Sequence, residues 1–232
     1  LLSMVDSSVG GKVGIDLCQG KNLVGQFYPA RRVAVDPKFL DTLPETEWSW
    51  GMAEVVKHAI LQGDPLWSAL REFHPDDRES EARIDKLLRL AVEVKVRIVE
   101  RDPFEKTGLR ATLNLGHTYG HALEWCSEFR LSHGAAVGLG MLAGLRLSRA
   151  LGLLVEDFEP GLSGLLSRWN LPTSLKGGPE FSWSRVRRAL GRDKKNRDGE
   201  WGFILPCSVG RVKSVFGPPE EMVRAAIESL LY

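Results

Sequence analysis

Apolar side chains return every three or four residues along much of this chain, the period of a helix buried on one face. Ile84, Leu87, Leu88, Ala91, Val94 and Ile98 keep that period and predict an amphipathic helix over 83–100. A second helix is predicted over 48–61, packed through Val55, Val56, Ala59 and Ile60. Thr42 or Thr46 would cap it, and Glu45 and Glu47 suit its first turn. Residues 136–152 are apolar and rich in small side chains, which suits a helix in close contact with its neighbours. Shorter helices are expected over 160–169 and 182–191, and a last one over 220–231. The period changes at WGFILPCSVGRVKSV, which reads as a β-hairpin turning near Ser208 to Gly210. RVAVD, residues 32–36, reads as a short buried strand ended by Pro37. The rest is punctuated: a glycine-rich loop over 1–25, a charged loop or exposed helix over 64–82 with His74 at the surface, a break at RDPFEKTG, and a polar loop over 191–200.

Composition narrows the function classes. At 232 residues the chain is long enough for one large domain or two small ones. A net charge of +1 gives no reason to expect nucleic acid or a membrane surface as partner, and no apolar run approaches the roughly 20 residues of a membrane span. Cys18, Cys126 and Cys207 are odd in number and far apart, so no disulfide framework is indicated and a reducing cytoplasm is expected. The chain opens at Leu1, inside a polar, glycine-rich stretch, with no signal-peptide order, which predicts a piece of a longer protein.

The candidate chemistry gathers in LNLGHTYGHALEWCSEFRLSH, residues 113–133, which holds three of the five histidines. His117 and His121 are four apart and would share a helix face, and His133 follows twelve later. A metal needs three or four such donors, so a further ligand must come from elsewhere. Upstream, Arg110, Asn114, His117 and His121 fall at spacings of four, three and four, placing a guanidinium, an amide and two imidazoles along one helical face. That is costly to bury without purpose and points to an anionic substrate beside a metal. Glu54, Lys57 and His58 stand at i, i+3 and i+4; Glu54 is either the missing carboxylate ligand or half of an ordinary helical pair with Lys57. Lys95 lies at the edge of its apolar stripe and either snorkels or points into a site. In the opening loop, Gly10 and Gly11 permit close backbone approach, while Asp6, Lys12, Lys21 and Asn22 offer polar groups.

Taken in order, VDSSVGGK, GKNLVGQFY, FLDTLP, GMAEVVKH, GLRATLNLGHTYGHALE, HGAAVGLGM and RDKKN resemble the 3-dehydroquinate synthases over essentially the whole chain. The resemblance implies a fold combining α/β and all-α parts. Residues 1–44 would end an NAD-binding α/β domain, and 45–232 would form a mainly helical metal- and substrate-binding domain. It implies Glu54, His117 and His133 as ligands of Zn2+ (or Co2+), with Glu54 and His133 also beside the substrate, and His121 near the phosphate in proton transfer. Substrate positions carry over to Asp6, Lys12, Asn22, Lys57, Lys95, Arg110, Asn114 and the Lys194/Lys195 pair. Lys12 and Glu105 join His121 as catalytic candidates, and Lys21 with the turn Phe39, Leu40, Asp41 and Thr42 matches positions that touch NAD.

The implied reaction turns 3-deoxy-D-arabino-heptulosonate 7-phosphate into 3-dehydroquinate and phosphate, in the shikimate pathway of aromatic amino acid biosynthesis, by a homodimeric enzyme. The near alternatives are the 2-deoxy-scyllo-inosose and valiolone-type cyclases, against which Lys95 and Arg110 speak, and an inactive fragment. The sequence departs from the family at Ala135, where a glutamate usually follows the last metal histidine by two. It departs also at EKTGLR, one residue longer than EKGLR, and at Trp50, where the family has a smaller or polar residue.

Overall fold

Each long helix-period stretch folds as a helix. The computed structural model describes residues 1–17, 20–175, 179–192 and 199–231. Among them run α1 (Glu45–Gln62), α2 (Leu66–Glu72), α3 (Glu81–Arg101), α4 (His117–Cys126), α5 (His133–Ala150), α6 (Glu159–Arg168), α7 (Trp183–Leu190) and α8 (Glu220–Glu228). Two antiparallel hairpins complete the regular structure, β1 (Lys12–Leu17) with β2 (Gly20–Phe27) and β3 (Gly202–Ser208) with β4 (Arg211–Phe216).

The small residues of α5 do what their size suggests. This helix is buried along nearly all its length, and α1, α4, α6, α8 and β3 pack around it. Contact with α4 is so close that a Cβ on Gly140 would stand 2.0 Å from the Gly116 carbonyl oxygen. On its other side, Gly134 lies against the backbone of Trp50, so the bulky residue at position 50 is accommodated half-buried at the α1–α5 crossing. The β3–β4 hairpin covers α4 and is tied to it where the Thr118 hydroxyl donates to the Gly202 carbonyl at 3.0 Å.

Four expectations need correction. The opening 25 residues are not one loop: Ser3–Ser7 form a single π-type turn, and Lys12 to Phe27 pair as a hairpin, Ile15 opposite Val24. Glycines and lysines hid the alternation. Residues 32–36 form no strand and are largely exposed, because no described strand lies beside them to complete a ladder. Helix α1 follows Pro44 and has no side-chain cap, so neither Thr42 nor Thr46 caps it. Finally, residues 110–121 are not one helix. Arg110–Asn114 form a 3-10 turn, Gly116 takes a left-handed conformation (φ 77°), and α4 begins only at His117. A Cβ at Gly116 would also meet the Val137 carbonyl oxygen at 2.8 Å, so both its conformation and its neighbours require glycine.

Candidate metal centre and substrate site

Three helices deliver the donors. Glu54 comes from the buried middle of α1, His117 is the first residue of α4, and His133 is the first residue of α5. Glu54 is fully buried, and its Oε1 has no hydrogen-bond partner among the described residues. It faces the Nε2 atoms of His133 at 3.4 Å and His117 at 3.6 Å. The Nδ1 of His117 lies 3.0 Å from the Leu115 carbonyl oxygen, which can only accept. The proton therefore sits on Nδ1 and the Nε2 lone pair is turned to Glu54. One carboxylate oxygen and two imidazole nitrogens thus converge; with no ion among them, burial pulls the His133 ring down but Glu124 and Glu54 push it up to about 9, so a proton takes the place of the cation. Donors held 2.0–2.2 Å from a tetrahedral zinc ion stand about 3.3–3.6 Å apart, the separations seen here. The residues fit a divalent ion.

The third histidine of the cluster stands beside these donors rather than among them. The His121 ring centroid is 5.4 Å from that of His117 and 6.3 Å from that of His133, and His121 is exposed.

A second group, Asp6, Glu54 and His58, also brings donor atoms within 4.8 Å of one another. Here a cation is already built in. The Lys57 ammonium, 1% exposed, contacts Glu54 Oε2 and lies 3.6 Å from Asp6 Oδ1. Lys95 does not snorkel: its ammonium is 2.9 Å from Asp6 Oδ1 and also donates to the Asp6 carbonyl. Two carboxylates and two ammonium groups therefore share one buried patch. Burial alone would raise the Asp6 carboxyl, but Lys57, His58 and Lys95 hold it well below its ordinary value. Burial would likewise strip Lys57 of its proton, yet Glu54 and Asp6 push its titration upward. Burial pushes His58 down, which keeps its ring neutral between these charges. The sequence placed His58 on the right face but gave no sign that it would be fully buried.

A third group closes over the start of β1. Lys12 donates to Glu105 Oε2 at 2.7 Å, and Glu105 holds a left-handed backbone (φ 57°). Arg110 is 2% exposed; its guanidinium donates to the carbonyls of Gly10 (2.7 Å) and Pro103 (2.5 Å) and lies 5.3 Å over the Phe27 ring. The loop between them wraps Asp102, whose carboxylate accepts backbone N–H groups from Arg110 (3.0 Å), Lys106 (2.7 Å) and Thr107 (3.2 Å). The Arg110 N–H leads in holding Asp102 down at about 2 against its ordinary 3.8. A depressed carboxylate stabilises the fold above its unfolded value, and that contribution is lost as pH falls through about 2. Asp102→Asn is therefore expected to unfold at a higher pH than the wild type in an acid titration followed by circular dichroism. Coincident acid midpoints would show that the loop does not depend on this charge.

Other sequence candidates fall less centrally. The Asn114 amide donates to the Ala111 carbonyl at 3.1 Å, inside its own turn. Of the Phe39–Thr42 turn, Phe39 is exposed and the Leu40 side chain is buried in the core. Lys194 and Lys195 lie outside the described residues, as do the side chains of Lys21 and Asn22, whose backbone runs in β2. One buried residue of the site was missed. Glu124 places Oε2 3.4 Å from His133 Nδ1. Its signal was present, since 117, 121 and 124 form an i, i+4, i+7 set on α4. No helix among the described residues is long and apolar enough to cross a membrane.

Comparison with known proteins covers most of the chain. Residues 1–50 match the family model described as 3-dehydroquinate synthase N-terminal, and residues 51–196 the one described as 3-dehydroquinate synthase C-terminal. The 3-dehydroquinate synthase of Synechocystis sp. is 38% identical over 98% of this chain and 63% of its own length. That of Xanthomonas campestris pv. campestris is 42% identical over 93% of this chain and 59% of its own. Among solved structures, the 2-epi-5-epi-valiolone synthase of Streptomyces hygroscopicus subsp. jinggangensis, with NAD+ and Zn2+ bound, matches with a TM-score of 0.87 at 26% identity. That match covers 99% of this chain and 63% of that one. The fold is dehydroquinate synthase-like, as the resemblance implied, and the chain spans about 60% of the length of these relatives.

Proposed function

The chain belongs to the 3-dehydroquinate synthase family, and on that premise we propose that it serves the conversion of 3-deoxy-D-arabino-heptulosonate 7-phosphate to 3-dehydroquinate and phosphate. The convergence of Glu54 Oε1 with the two imidazole Nε2 atoms, next to a buried pair of ammonium groups, is the observation that carries this reading. Zinc (or cobalt) held there would polarise a substrate alcohol, and NAD would take up a hydride and later return it.

The chain's own residues would bind and orient the substrate. Lys57 presents an ammonium to a substrate oxygen next to Glu54, and Lys95, Arg110, Lys12 and Asn22 offer donors to the carboxylate and phosphate. Arg110 keeps its plane fixed because two carbonyls and the Phe27 ring hold it before substrate arrives. A substrate anion would displace Glu105 from Lys12 and leave that carboxylate open to hold a proton at the edge of the site. His121, exposed beside the donor set, would pass a proton near the phosphate, and Asn114 stands three residues before His117, in the turn that precedes α4. Phe39, Asp41 and Thr42, together with Lys21, would meet NAD. Residues 1–44 would belong with the nucleotide domain and 45–232 with the metal and substrate. A cytoplasmic homodimer completes the proposal.

The likeness to a valiolone synthase supports a second reading, another sugar-phosphate cyclase. The distinction lies in the substrate carboxylate that Lys95 and Arg110 would recognise. The protein carrying these residues, loaded with NAD and zinc, is expected to release phosphate from the heptulosonate phosphate and not from a seven-carbon sugar phosphate lacking the carboxylate. Release from the carboxylate-free sugar alone would move the chain to the second reading, and no release from either would sink both.

A further inference from the structure

His117 and His133 are backed differently. His117 donates to a neutral backbone carbonyl, whereas the Nδ1 of His133 faces a carboxylate, Glu124 Oε2, at 3.4 Å. Glu124 is 4% exposed, and a buried carboxylate is unfavourable unless a neighbouring group replaces its lost hydration. It lies on α4, seven residues after His117, so the helix that supplies one donor also supplies the group behind the other. On His133's own helix the position two residues on is Ala135, whose methyl group offers no acceptor and whose N–H is taken by the Ser132 hydroxyl.

We propose that Glu124 is a positioning residue for the metal centre. It holds the Nδ1–H of His133 and so leaves Nε2, with its lone pair, aimed at Glu54 and at the ion between them. The carboxylate also strengthens that nitrogen as a donor. This inference rests on the reading of Glu54, His117 and His133 as the ligands.

Zinc affinity, measured on the metal-free protein by competition with a chromophoric chelator, tests it without any need for turnover. Glu124→Gln is expected to weaken zinc about 10–100-fold while the far-ultraviolet circular dichroism stays that of the wild type. In a His133→Ala background the same substitution should add nothing, because its route to the ion has been removed. An equal loss in both backgrounds would make Glu124 a structural residue and overturn the proposal. So would unchanged affinity in Glu124→Gln when His133→Ala alone weakens zinc. A wild-type protein that binds no zinc, or is indifferent to His133→Ala, would instead overturn the ligand assignment. Should Glu124→Gln fail to fold, Glu124→Asp, which keeps the charge but withdraws it from Nδ1, is expected to weaken zinc only when His133 is present; a loss independent of His133 counts against the proposal.

Discussion

Exchanging Glu54 for glutamine is expected to empty the metal centre while leaving a folded protein. The substitution keeps the size of a side chain that has no exposed surface. It removes the charge and replaces one oxygen with an NH2 group. Turned toward Lys57, that NH2 would set donor against donor, so the favourable orientation points it at the Nε2 atoms of His117 and His133, which now face Oε1 at 3.6 and 3.4 Å. The two nitrogens would then be satisfied by hydrogen bonds rather than by an ion. Zinc measured by elemental analysis should fall to background. Turnover of the NAD-loaded protein should fall at least about a thousandfold, since several kcal/mol of charge stabilisation leave with the ion and each 1.36 kcal/mol is tenfold. Stoichiometric zinc with undiminished turnover in Glu54→Gln would overturn the site.

Lys57→Met should produce the largest loss of stability. The ammonium is 1% exposed and lies between Glu54 and Asp6, and removing one partner of a buried charge group costs about 3–5 kcal/mol because the other charges stay behind. For a chain of this length that lowers the melting temperature by about 6–20 °C. The companion double variant, Lys57→Met with Glu54→Gln, should melt above the single Lys57→Met variant, since it no longer strands a carboxylate beside the apolar methionine. Equal or lower melting of the double variant would mean that Lys57 contributes through packing rather than charge.

The helices were legible where apolar or small residues kept a helical spacing: α1, α3 and α5 follow the run of Val55 to Ile60, Ile84 to Ile98 and the small residues after Ala136. The β3–β4 hairpin was legible because a short apolar run, Phe203 to Cys207, and the β-branched Val212 and Val215 flank a glycine turn. The opening hairpin was not, although Val13, Ile15 and Leu17 alternate with Lys12, Gly14 and Asp16, because five glycines in the first 25 residues read as a loop. Nor was the break at Gly116, because a spacing of three from Asn114 to His117 counts residues without registering a left-handed one. The ligand set came from the family resemblance, whereas residue spacing alone suggested three histidines. What spacing could not give were contacts across elements: Lys95 reaching Asp6, Lys12 reaching Glu105, and Glu124 reaching His133. Each joins residues nine or more positions apart through tertiary packing.

Because His117 and His133 open their helices, α4 and α5 each direct a positive dipole end, worth about half an elementary charge, toward the proposed metal donors. That field and burial both oppose a protonated imidazole at His133, while Glu124 and Glu54 outweigh burial and raise it to about 9. The field also leaves the ligands less able to quench the ion: one carboxylate and two neutral rings around a divalent charge keep an excess of about +1, to which the helix ends add. With a divalent ion bound, the space in front of the centre would be electropositive even though the chain as a whole carries only +1. An anion would then be drawn into this corner, and the attraction would weaken with added salt more at the exposed entrance than in the buried interior, where charges are screened less.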